Sequence, residues 1–176
     1  MSNAYVIFDP KVDRPLHEMP RKDAKAAYNW FIAQKDERVE VLKRYAHELG
    51  FSLDDEFNAI EQLHDLLVAE IHKDGVRDVP TPCVFSLCND IAIFISEMLI
   101  RNESSLQWTF YIANENDLSY HRPVITGFNV KNKNYSVDID YVLCQYALRL
   151  TQGGSKEEGL LRRIYESAIS KADRAK

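Results

Sequence analysis

Four polar side chains in the most apolar part of the sequence have the types and spacing to do chemistry. Ser86, Asp90, Glu97 and Arg101 recur at intervals of four, seven and four, which on an α-helix places them along one stripe. Asn89 and Ser96 run beside it, and Ile91, Ile93, Phe94, Ile95, Met98 and Leu99 fill the remainder. An ionised carboxylate among such neighbours costs several kcal/mol or shifts its pKa, so a cation or hydrogen-bond donor must meet Asp90 and Glu97. Two readings stand open. In the first the stripe is structural: Glu97 pairs with Arg101, and Asp90 with a basic residue such as Arg38, docking the early helices. In the second a perturbed carboxylate faces a ligand or partner in a polar pocket lined by Trp30 or Trp108.

Other constellations are weaker. Glu61, His64, Asp65, Glu70 and His72 form the densest group of metal-ligand types. A carboxylate-bridged dinuclear centre needs a second Glu-x-x-His, which the chain lacks, so these residues read as a solvated charged face. No Gly-x-Ser-x-Gly, phosphate-binding loop, dinucleotide glycine pattern or His-Glu-x-x-His is present. With 6 glycines in the chain, a backbone cradle for phosphate is not expected. The sequence therefore offers no catalytic residue, cofactor or metal.

Cys83, Cys88 and Cys144 are an odd number without a CxxC and read as buried free thiols of a reducing compartment. The N-terminus has no secretion signal, and the apolar run near Ile91 is shorter than a membrane span. The expected location is the cytoplasm. A net charge of −5 and a pI near 5.6 argue against nucleic acid or an anionic membrane as partner and favour a neutral or basic protein. Trp30, Trp108 and the nine tyrosines could supply a binding surface, although most should lie in the core.

The elements that position these groups follow from periodicity. A length of 176 residues, with 45% hydrophobic and 28% charged, predicts one packed domain. Residues 1–20 read as a strand, Tyr5–Phe8, and a proline-rich loop. Helical spacing begins at Arg21; the polar run 34–38 bends that helix or splits it, with Asp36 able to cap a second one that ends at Gly50. A helix follows from Ser52-Leu-Asp-Asp-Glu56 to about Lys73. Thr81-Pro82 starts the central helix, reaching Arg101.

Two strands are expected next, 106–112 and 123–130, with Gly127 a possible bulge. Their polar connection, 113–122, is the candidate partner-binding loop, through Asn114, Glu115, Asn116, Asp117 and Tyr120. Helices over 137–151 and after the capping box Ser155–Glu158 complete the chain, and the basic tail 171–176 should fray. The fold class predicted is α+β: a mostly helical domain of about five or six helices with a small antiparallel sheet of two to four strands.

Lys22-Asp-Ala-Lys25 with Tyr28, Trp30 and Phe31, then Arg38-Val-Glu-Val-Leu42, resembles the opening of a group of small uncharacterised bacterial proteins. Asp90–Glu97, Ile100-Arg-Asn102, the Trp108 strand and Arg122–Phe128 resemble its second half. The resemblance implies no activity of its own; by association it implies an immunity role beside bacterial toxins. The function expected is a non-enzymatic binding protein of immunity type, monomer or homodimer, whose partner is a basic toxin domain. The alternative is a small-ligand-binding protein or enzyme built on Asp90, Glu97 and Arg101.

Overall fold

The computed structural model of the chain describes residues 5–73 and 75–172; the first four residues and the tail beyond Ala172 lie outside them. In chain order the elements are α1 (Arg21–Glu48), α2 (Glu56–Lys73), α3 (Pro82–Asn102), β1 (Gln107–Phe110), β2 (Pro123–Thr126), α4 (Ile139–Thr151) and α5 (Leu160–Ala172), with a 3-10 turn at Leu16–Glu18 before α1. The architecture is the mostly helical α+β domain expected, with five α-helices and a two-stranded antiparallel sheet.

The centre of the molecule is α3. Thr81 caps it, its side chain accepting from the Val84 amide, and Pro82 occupies the first turn, where a missing N–H costs nothing. Helices α1, α2, α4 and α5 all pack on it, burying Leu87, Ile91, Ile95, Met98 and Leu99 completely or nearly so. Contrary to the sequence expectation, the helix is long and apolar enough to match a membrane span by length and composition. Here those apolar faces are covered by the other helices, as in the core helix of a globular domain.

The sheet pairs Trp108 with Ile125 and Phe110 with Pro123, and Val137 adds one bridge to Ile125 through two 2.9 Å backbone bonds. Both strands are shorter than expected. The first stops at Phe110, leaving Ile112 exposed and Tyr111 buried, so the anticipated alternation fails at its C-terminal end. Gly127 lies past β2, not in a bulge. It stands at φ +99°, and a Cβ there would sit 1.9 Å from the Ser105 carbonyl oxygen, so only glycine lets the strand turn away at this point.

Three further expectations need correction. Tyr5–Phe8 forms no strand and pairs with none among the described residues; its side chains and backbone are bonded to α3 and α1 instead. The polar run 34–38 does not divide α1, which is continuous for 28 residues. Lys35 and Arg38, three apart, point from it toward α3. The capping box at Ser155 does not form: α5 begins at Leu160, and Glu157 pairs with Arg149 and Arg163.

Candidate functional site

The residues of the stripe separate. Asp90 is fully buried and meets Arg38, with Nε donating to Oδ1 at 2.9 Å and Nη2 to Oδ2 at 2.6 Å. The Tyr5 hydroxyl donates to the same carboxylate, and Asn89 Nδ2 does so at 3.2 Å. Burial pushes the Asp90 carboxyl above the ordinary carboxylate range, while the bonds from Arg38 and Tyr5 pull it back. Ser86 Oγ accepts from the Phe8 amide at 2.7 Å, and Arg38 also donates to the Val6 carbonyl at 2.7 Å. Ser86, Asp90 and Arg38 thereby fasten the N-terminal segment to α1 and α3.

Glu97 does not pair with Arg101. Its Oε1 accepts from Lys35 Nζ at 2.5 Å and from the Trp108 indole at 2.7 Å, and its side chain keeps 32% of its surface exposed, short of full burial. Arg101, 61% exposed, reaches Glu56 at 2.7 Å. Eleven residues carry a helix of 3.6 per turn through three turns and about 20°, so Arg101 shares the face of Asp90; it reaches solvent because it stands in the last turn of α3.

The faces beside the stripe matter more. A cleft of about 500 Å³ lies among the N-terminal segment, α1, α3, the sheet and α4. The segment contributes Ile7, Phe8, Val12 and Leu16; α1 contributes Ala27, Tyr28 and Phe31; α3 contributes Phe85, Ser86, Asn89, Ala92 and Ser96. Trp108 and Pro123 come from the strands, and Ile139, Asp140 and Cys144 from α4. Phe31 stands edge-on to both Phe8 and Trp108, with ring centres 6.5 and 5.2 Å away, so one aromatic cluster spans three elements.

Its polar part includes Arg122 and Asp140, which with Asp138, a residue outside the lining, form a triad outside the sequence-derived candidates. Arg122 donates through Nε to Asp138 at 2.6 Å and through Nη2 to Asp140 at 2.7 Å. Asp138 also caps α4, accepting from the Tyr141 amide at 2.9 Å. Burial raises the Asp140 carboxyl above the ordinary range; Arg122 opposes the shift and Asp138 adds to it. The Cys144 thiol points at Asp140 Oδ1, 3.6 Å away. Contact with Cys144, together with burial, holds the Cys88 thiol well above its usual value.

The loop 113–122 is more ordered internally than its composition predicts. Asn114 and Asp117 close successive side-chain turns with the Asn116 and Ser119 amides, at 3.0 and 2.9 Å. Tyr120 stacks on His121, which stacks on Phe110 and bonds through Nδ1 to the Leu16 carbonyl at 3.1 Å. Asn114, Glu115 and Asn116 face solvent, whereas Asp117 and Tyr120 are half-buried.

The suspected metal-ligand group is not gathered. His64 is buried, against the expectation of a solvated face, and its Nε2 lies 2.8 Å from the Tyr146 hydroxyl. Glu61 pairs with Arg162, Asp65 with Lys156 and Glu70 with Lys73.

Sequence reasoning missed Arg122, Asp138 and Asp140 because they come from two segments of ordinary polarity. The available signal was Asp138 as a helix cap, together with an arginine, Arg122, immediately before the strand that begins at Pro123. No family model, curated protein or solved structure matches this chain.

Proposed function

We propose that this chain is a non-catalytic binding protein whose ligand occupies the cleft. The observation that carries this is the cleft itself: its volume falls within the range of small-molecule sites, and a mostly apolar, aromatic lining surrounds a few converging polar groups. Catalysis on the stripe is disfavoured by its pairing, since Asp90 is closed off by Arg38 and Tyr5, and Glu97 by Lys35 and Trp108. Of the acid–base groups that line the cleft, Asp140 is paired with Arg122, and the Cys144 thiol lies against it.

Titration with N-phenyl-1-naphthylamine, a neutral apolar fluorophore, tests the reading. Saturable one-to-one enhancement is expected, lost in Ala27→Phe, which narrows the cleft from the half-buried face of α1. Unsaturable binding, or binding unchanged in that variant, would overturn it.

A second reading is the immunity role implied by the resemblance. The net charge of −5 supports it, because acidic surfaces speed and orient association with basic partners, and Asn114, Glu115 and Asn116 face outward where a toxin domain could meet them. Recovery of no protein partner from the native host would count against this second role.

A further inference from the structure

We propose that the cleft selects an amphipathic organic cation, a protonated amine on an apolar body. The inference rests on the cleft being a ligand site and adds the charge of its occupant. The first observation is the local balance of charge. Two carboxylates, Asp138 and Asp140, share one guanidinium, that of Arg122. The other arginine of the cleft, Arg14, is bonded to Asp13 through two 3.1 Å contacts. With each arginine matched to a carboxylate, the Asp140 charge is left in excess.

Asp140 Oδ1 is also poorly satisfied, because its contact is the Cys144 thiol at 3.6 Å, a weak donor. An ammonium group carries three strong donors and no acceptor, which is what that oxygen lacks. A carboxylate ligand near that oxygen would instead meet the like charge of Asp140.

The second observation is independent of the acidic pair. Ser96, 1% exposed, belongs to the cleft, and its Oγ has no hydrogen-bond partner among the described residues. Asn89, seven residues earlier on α3, commits Nδ2 to Asp90, leaving its carbonyl oxygen able to accept. A buried hydroxyl and an amide oxygen on the same helix, near a surplus carboxylate, form an acceptor-rich set that a donor ligand completes.

The aromatic lining is compatible with positive charge. Of the lining rings, Tyr28 already takes a cation over its face, Lys25 Nζ standing 4.2 Å from its centre.

Calorimetric titration of the wild-type chain with decylamine, 1-decanol and decanoic acid, each below its micelle concentration at neutral pH, tests the proposal. Decylamine is expected to bind roughly tenfold tighter than decanol, and decanoate weakest. Asp140→Asn should bring the amine within about threefold of the alcohol. Equal binding of all three, or preference for decanoate, overturns the cation proposal while the cleft reading stands. Failure of all three to bind overturns both. Should Asp140→Asn not fold, the wild-type ranking alone decides.

Discussion

Arg38 holds Asp90 by two side-by-side hydrogen bonds, and the pair is sealed from water by Tyr5 and α3. Such a pair adds little net stability over an apolar replacement, because desolvating both ions offsets their attraction. Breaking it is a different matter, since the survivor is left buried and charged. Asp90→Ala or Arg38→Ala should cost on the order of 3 kcal/mol, read from urea midpoints. The double replacement Arg38→Met with Asp90→Leu should recover much of that loss. Equal midpoints for wild type and Asp90→Ala would refute the assignment.

Glu97 and Arg101 should part company in the same assay. Glu97→Ala removes the acceptor of both Lys35 and Trp108 and is expected to cost about 1–2 kcal/mol and to shift tryptophan emission. Arg101→Ala breaks only an exposed pair with Glu56 and should cost less than about 0.5 kcal/mol. Were Arg101 the more sensitive position, the pairing described here would be wrong.

His64 gives the fold an acid sensitivity with a definite sign. Burial lowers its pKa in the folded state below the ordinary histidine value of 6.5, with nearby Lys156 acting the same way. The unfolded chain therefore takes up the proton first as pH falls, and stability present above pH about 6.5 is lost below it. His64→Gln should flatten the stability profile below about pH 6.5. An unchanged slope in the variant would locate the acid sensitivity elsewhere.

Gly127→Ala tests a close approach of backbone to backbone. The added Cβ meets the Ser105 carbonyl at 1.9 Å in a positive-φ conformation, and because the obstacle is main chain it cannot rotate aside. A loss of at least about 2 kcal/mol is expected, against no measurable change for Gly50→Ala beyond the cost of its own positive φ, since a Cβ there meets nothing within 4 Å.

Helical periodicity made the five α-helices legible, and Thr81-Pro82 marked the start of α3 correctly. The pairing of Asp90 with Arg38 was also readable, because a buried carboxylate demands a cation and α1 offered one on a face with Leu42. Tyr5–Phe8 misled because β-branched and aromatic residues also suit an extended segment packed on helices; propensity does not report whether a sheet edge is available. The Lys35–Arg38 run looked like a break because its polarity answers a polar stripe on another helix, a tertiary fact. Arg122, Asp138 and Asp140 meet only once β2 and α4 are placed beside each other, and no local pattern encodes that meeting.

One wall of the cleft is chain whose one regular element among the described residues is a 3-10 turn, bonded at Tyr5 to Asp90, Phe8 to Ser86, Val6 to Arg38, Asp9 to Trp30 and Leu16 to His121. Among the described residues no sheet ladder holds it, so local opening of this segment is expected to cost less than unfolding the helices. Lifting it would take the Val6 carbonyl from Arg38 and the Tyr5 hydroxyl from Asp90.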